Sequence, residues 1–138
     1  MTDSILIIGT EPSLREELVS AFTRSGFTMA YVASYPEALL KLSEFSLDLV
    51  IMNTVLPTRD GFEACSELRS ILGIPVVLLG EDSSDKVWEK VMEADADHYQ
   101  IKPCQYVLEL VTRVKAILRR YRSAGSRSDN DAGYGKES

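Results

Sequence analysis

Side chains able to do chemistry are few in this chain of 138 residues, and they do not cluster along it. There is one histidine, His98, and there are two cysteines, Cys65 and Cys104, with no Cys-x-x-Cys pair and no Cys/His grouping. A structural zinc site takes four such ligands at close spacing, so neither a metal nor a cofactor is expected. Two lone cysteines without a secretion signal read as reduced thiols, which fits the cytoplasm. What remains are polar residues that close short apolar runs: Gly9-Thr10-Glu11, Asn53, Gly80-Glu81 and Lys102-Pro103. They form a site only if the elements before them end at one place.

Those elements are legible. Five apolar runs, Ser4–Gly9, Thr28–Ala33, Asp48–Asn53, Pro75–Gly80 and Asp97–Ile101, alternate with segments of helical period. Ile5-Leu6-Ile7-Ile8 and Val76-Val77-Leu78-Leu79 are continuously apolar, as strands buried on both faces are. Between the runs, Leu14, Leu18, Ala21 and Phe22 form one helical stripe, and Phe62, Cys65, Leu68 and Leu72 a second, interrupted by Arg69. Val107, Leu110, Val111, Val114, Ile117, Leu118 and Tyr121 form a third. Spacings of three and four put each set on one face. Pro12 and Pro36 suit first turns, with acidic residues expected to follow each, and Gly26 and Gly73 suit the positions past helix ends. Five βα units with right-handed crossovers imply an α/β doubly wound, flavodoxin-like (βα)5 fold. In such a fold the carboxyl ends of the strands share one crevice, so the closing residues belong together.

Composition narrows the partners. Net charge is −6 and hydrophobic residues make up 45%, a soluble globular balance that attracts neither nucleic acid nor anionic membrane. No apolar run nears the ~20 residues a bilayer requires. From Ser123 the chain turns small and polar, so residues 1–122 are expected to form one domain and 123–138 a flexible tail or interdomain linker.

Three segments carry a specific resemblance. Asp48-Leu-Val-Ile-Met-Asn53, followed by Leu56-Pro57 and Asp60-Gly61, resembles the third-strand region of response-regulator receiver domains. Ile74-Pro75-Val-Val-Leu-Leu resembles their fourth strand, and Ala96-Asp97-His98-Tyr99-Gln-Ile-Lys102-Pro103 their fifth. The likeness covers roughly residues 4 to 121, and from Asn53 to Lys102 it is in register with the OmpR/PhoB-like subfamily without a gap. It implies a five-stranded parallel sheet of order 2-1-3-4-5. It also implies phosphoryl transfer from a histidine kinase to an aspartate, assisted by a divalent cation on carboxylate ligands.

The sequence departs from that chemistry at nearly every point. The phosphoacceptor position is Asn53, the acidic pair maps to Gly9 and Thr10, and the hydroxyl that would hold a phosphoryl oxygen maps to Gly80. Only Lys102 survives. An amide is no nucleophile here, and without those carboxylates Mg²⁺ loses the charge that would draw it from its waters. Glu11 is adjacent but stands at a position that is not normally a ligand in the family. The expected pocket, Gly9, Thr10, Glu11, Asn53, Gly80 and Lys102, is therefore degenerate. The expected function is a phosphorylation-independent pseudo-receiver.

The remaining family positions concern association. Tyr99 matches the switch aromatic and is expected to be static, packed inward where Gly80 leaves room or forming part of an interface. Trp88, Asp97 and Arg113 fall on the face of the fourth helix, fifth strand and fifth helix, through which the subfamily dimerises. Each has an ordinary alternative, core packing for Trp88 and solvated charge for the other two. Lys102 is expected beside Glu81, Glu11 or Asn53, and Lys102-Pro103 is expected to hold a cis peptide. The expected partners are a second copy of the chain, a regulatory protein, and DNA only through a separate C-terminal domain. Two other functions stay open. One is a phosphorylatable receiver with a non-aspartate acceptor such as Thr54 or Thr10. The other is a small-molecule sensor using space beside Gly9 and Gly80.

Overall fold

A computed structural model describes residues 2–102 and 107–130, with side chains in the last helix described as far as residue 123. The elements in order are β1 (Ser4–Ile8), α1 (Pro12–Arg24), β2 (Thr28–Val32), α2 (Tyr35–Glu44), β3 (Leu49–Asn53), β4 (Val55–Leu56), β5 (Arg59–Asp60), α3 (Gly61–Leu72), β6 (Val76–Gly80), α4 (Asp85–Glu93), β7 (His98–Ile101) and α5 (Val107–Asn130). Five parallel strands form one sheet in the order β2-β1-β3-β6-β7. This is the expected 2-1-3-4-5 order, renumbered because β4 and β5 form a small antiparallel hairpin of their own.

The continuous apolar strands are explained by the two-sided burial. Along β3, Val50 and Met52 join the core beneath α2, α3 and α4, while Leu49 and Ile51 join the core beneath α1 and α5. Every residue of β3 and β6 is buried. At about 1.5–3 kcal/mol for each large apolar side chain, these two central strands supply much of the driving force for folding.

Local signals set the helix ends. Ser34 caps α2 in a capping box, accepting from Glu37 N–H while Glu37 accepts from the Ser34 backbone. Asp60 caps α3 through Phe62 N–H at 2.9 Å, and Gly73 ends it in the left-handed region at φ 69°.

Two local expectations need correction. The first turn of α1 carries no acidic residue; Glu11 is its N-cap, so the only acidic group there lies just outside the helix. Leu72 is 44% exposed, because α3 stops there and the stripe loses its partner sheet. The last helix, α5, runs to Asn130, past Ser123 where the composition changes. Elongating a formed helix costs little per residue, and the extension contains a single glycine and no proline. The hairpin was not foreseen. Its turn pairs Pro57 with Thr58 at φ 61°, the positions of a type II turn, where glycine would be the usual sequence signal for the second. Pro103, its expected cis peptide, Cys104 and residues 131–138 lie outside the described residues.

Candidate functional site

The carboxyl ends of β1, β3, β6 and β7 meet as the strand order requires. Asn53 ends β3 and is nearly buried at 9% exposure. Its amide nitrogen donates to the Gly9 carbonyl at 2.7 Å, and its amide oxygen accepts from the Lys102 ammonium at 3.3 Å. Lys102 also reaches a Glu11 carboxylate oxygen at 3.4 Å. Its backbone N–H is fixed by the Gly80 carbonyl at 2.7 Å. The result is a hydrogen-bonded chain, Gly9–Asn53–Lys102–Glu11, that uses both ends of the amide. Of the three neighbours anticipated for Lys102, Asn53 and Glu11 are its partners.

The electrostatics follow from these contacts. The Glu11 carboxyl is held below its ordinary value, first by a backbone hydrogen bond at Glu11 itself and then, against partial burial, by Lys102 and the Asn53 amide. The pair is half open to water on the Glu11 side, so its strength is that of a surface ion pair, about 0–1 kcal/mol. Its consequence is charge balance: the one cation of the site is already matched.

These residues do not fit a divalent metal. Among the described residues, no group of three or more His, Cys, Asp and Glu side chains could hold a metal ion. The Gly9 carbonyl accepts from the Asn53 amide, and the Asn53 amide oxygen, a neutral ligand atom, already faces the Lys102 ammonium at 3.3 Å. Thr10 is buried, its hydroxyl without a hydrogen-bond partner, and no base is paired with it.

The space expected beside the two glycines is filled. Gly9 has φ +75°, and a Cβ there would lie 2.6 Å from Leu56 Cδ2. At Gly80 a Cβ would lie 2.5 Å from the Tyr99 hydroxyl oxygen. Tyr99 is packed inward at 3% exposure, and its hydroxyl donates to the Asp82 carbonyl at 2.7 Å. What is left is a cleft of about 450 Å³ between Thr54, Gly80, Asp82 and Lys102.

On the flank of the site, Trp88 is both packed and exposed. Its ring meets Tyr99 edge-to-face at 5.2 Å, yet 43% of the residue faces solvent. Arg113 is exposed on α5. Asp97 is neither solvated nor available, contrary to both readings of it. Its two oxygens accept from Tyr121 O–H at 2.8 Å and Val76 N–H at 2.9 Å, and Arg69 stands 3.7 Å away. The sequence did hold a signal for this cluster: Arg69 breaks an apolar stripe and Tyr121 closes another.

The comparisons agree with this architecture. The response regulator receiver domain family matches residues 5–115. This chain belongs to that family. The receiver is similar to the transcriptional regulatory protein AfsQ1 of Streptomyces coelicolor, 34% identical over 94% of this chain and 55% of that protein. It is also similar to the DNA-binding response regulator MtrA of Mycolicibacterium smegmatis, 35% identical over 87% of this chain and 52% of that protein. The chain thus spans about half the length of the curated relatives it matches. Among solved structures, the receiver domain of the TMAO respiratory system response regulator TorR superposes with a TM-score of 0.80 at 30% identity, over 86% of this chain and 98% of that one. The domain is therefore a two-component receiver whose relatives are transcriptional regulators. No described helix of it is long and apolar enough to cross a membrane.

Proposed function

We propose that this receiver works without phosphorylation, as a protein-interaction and dimerisation module of a cytoplasmic transcriptional regulator, and not as an enzyme. One observation carries the reading. Asn53 donates a hydrogen bond to the Gly9 carbonyl, which an aspartate carboxylate could not do. The amide therefore ties the end of β3 directly to the loop after β1, a contact that a carboxylate at position 53 would not make.

The surface supports an interaction role. Trp88 and Met92 are exposed one turn apart on α4, and Leu108 and Arg113 are exposed on α5. A tryptophan with one edge buried and the rest open is a common anchor of interfaces. A second copy bound through α4, β7 and α5 would use these groups, with Asp97 left to its internal role. Residues 1–122 are the receiver unit in this reading, and 123–138 lead, first as a continuation of α5, toward a DNA-binding domain like that of the relatives.

The test is a two-dimensional amide NMR titration with Mg²⁺ and then beryllofluoride, with sedimentation in parallel. Unmoved signals from Gly9, Asn53, Gly80 and Lys102 are expected, together with dimers whose population falls on Trp88→Ala. Saturable shifts at those four residues would overturn the reading. So would mass labelling by acetyl phosphate.

A further inference from the structure

We infer that the free edge of β2 is a docking site for an extended segment of a partner protein in which apolar and acidic side chains alternate. The inference goes beyond the reading above and uses the edge of the sheet opposite β7. It involves neither Asn53 nor the pocket around it.

The backbone of this edge is open. β2 is the first strand in the order β2-β1-β3-β6-β7, so β1 is its one strand neighbour among the described residues. Thr28 N–H donates to the Asp3 carbonyl, and the Val32 carbonyl accepts from Gly9 N–H. In a parallel ladder a residue turns its N–H and C=O to the same side, and alternate residues face opposite sides. Thr28, Ala30 and Val32 therefore face β1, while Met29 and Tyr31 direct their N–H and C=O groups outward. Edge strands are commonly blunted by charge, proline or a bulge. Thr28-Met29-Ala30-Tyr31-Val32 has no charge and no proline, and it pairs with β1 in unbroken register.

The two faces beside the edge differ, and the difference defines the segment. Under α2, a groove of about 230 Å³ is lined by Thr28, Ala30, Lys41, Phe45 and Leu47. Ala30 gives it a small floor, α2 stops at Glu44, and Phe45 at its rim is 54% exposed. This groove takes one large apolar side chain. On the α1 face, the Arg15 guanidinium lies 4.2 Å from the centre of the Tyr31 ring. The Lys41 ammonium lies 5.0 Å from the centre of the Phe45 ring. Neither cation is in an ion pair among the described residues, although the chain carries a net charge of −6. A strand laid along β2 sends successive side chains to alternate faces. An apolar residue in the groove then has neighbours on the α1 face, where a carboxylate meets Arg15, and Lys41 adds to the same attraction. Main-chain bonds to Met29 and Tyr31 supply affinity, and the groove and the cations select the side chains. A second copy offering its own β2 would bring an uncharged strand and the same two cations, so charge favours a different, acidic partner.

The probe is the peptide acetyl-Thr-Glu-Val-Glu-Leu-Glu-Val-Thr-amide, titrated into the isotope-labelled full chain. Amide shifts and hydrogen exchange are read by NMR. Saturable shifts along β2 are expected, with slower exchange at Met29 and Tyr31 N–H and little change at Thr28 and Ala30, which already face β1. Arg15→Glu is expected to weaken binding about tenfold, because it removes one surface ion pair and adds a repulsion. Met29→Pro deletes an outward N–H and spares the ladder to β1, so it should keep a cooperative thermal transition and abolish binding. If that variant fails to fold, exchange at Tyr31 in the parent and the loss of affinity in Arg15→Glu decide the matter. No saturable shift at millimolar peptide would overturn the inference. So would shifts without protection of Met29 and Tyr31, or equal binding of the peptide with lysine in place of glutamate. Self-association that protects the same two amides without peptide would assign the edge to a second copy and overturn the choice of partner.

Discussion

The amide nitrogen of Asn53 donates to the backbone carbonyl of Gly9 across 2.7 Å, joining the ends of β3 and β1. Both strand ends are buried in the sheet and fixed by pairing, Ile8 opposite Met52. The bond therefore needs no reorganisation. It also orients the amide so that its oxygen faces Lys102. One residue type satisfies a donor requirement on one side and an acceptor requirement on the other.

Restoring the carboxylate alone is predicted not to restore chemistry. Asn53→Asp would set an acceptor against the Gly9 carbonyl, a loss of about 1–3 kcal/mol, offset by a charged hydrogen bond to Lys102 worth a similar amount. The variant should fold, bind no Mg²⁺ in the millimolar range and take no label from acetyl phosphate. Replacing Gly9 by an acid is predicted to fail for a different reason. Its φ of +75° and the 2.6 Å approach of Leu56 Cδ2 make any side chain there strained, by about 1–2 kcal/mol from the backbone alone. Denaturation midpoints for Asn53→Asp, Gly9→Asp and the double variant check both statements.

Asp97 is predicted to matter for stability and not for association. Removing its carboxylate leaves Val76 N–H and the largely buried Arg69 guanidinium, 17% exposed, without that partner. Asp97→Ala should therefore cost about 2–3 kcal/mol, and Tyr121→Phe, which removes one hydrogen bond to a charged group, about 1–2 kcal/mol. Both losses should be independent of protein concentration, with the sedimentation profile below the transition unchanged. A fall in dimer population at unchanged Tm would show that Asp97 works across an interface instead.

How much of this was readable depended on the range of the interaction. The five strands and both cores followed from periodicity, because burial on two faces leaves long apolar runs such as Val76–Leu79; the order of the strands came from the family resemblance. The ends of the strands, and so the membership of the pocket, followed with them. The pairings inside the pocket did not. That Lys102 would choose Glu11 over Glu81 depends on where α1 begins relative to β7, ninety-one residues away. Asp97 was misread because its partners, Arg69 and Tyr121, come from two helices that meet only in the folded chain. The hairpin after Asn53 was hidden because Thr58 takes a positive φ where glycine would have announced the turn.

Cys65 is predicted to be inert in the native state. It is fully buried, its thiol donates to the Ala94 carbonyl at 3.5 Å, and its pKa is pushed up to about 12, first by burial and then by Asp97, against the opposing charge of Arg69. Alkylation by iodoacetamide at mildly alkaline pH should track unfolding, measured in a Cys104→Ser variant so that one thiol reports. The same shift gives a stability slope. Between the ordinary thiol value of 9.0 and about 12 the unfolded thiol ionises and the folded one does not, so this contribution is present below that window and lost as pH rises through it.

His98 should produce the opposite slope near neutrality. Burial lowers its pKa from 6.5, Arg113 on α5 adds to the fall, and a contact with Gln100 opposes it. The folded state then binds fewer protons than the unfolded state between the lowered value and 6.5, and stability rises with pH across that interval. It is fully present above 6.5, is lost as pH falls toward the folded value, and changes no further below that. Glu11, with a carboxyl also lowered, contributes its own loss only below 4.5. The measurement is Tm against pH from 7.5 to 5, compared between the parent chain and His98→Gln. The parent curve should fall in this range more steeply than that of the variant. Parallel curves would mean that His98 is protonated as easily in the folded chain as in the unfolded one. An Arg113→Gln variant should shift the parent's inflection upward by removing the nearby positive charge. That result would place the α5 guanidinium close enough to β7 for a partner bound at Arg113 to alter the charge state of His98.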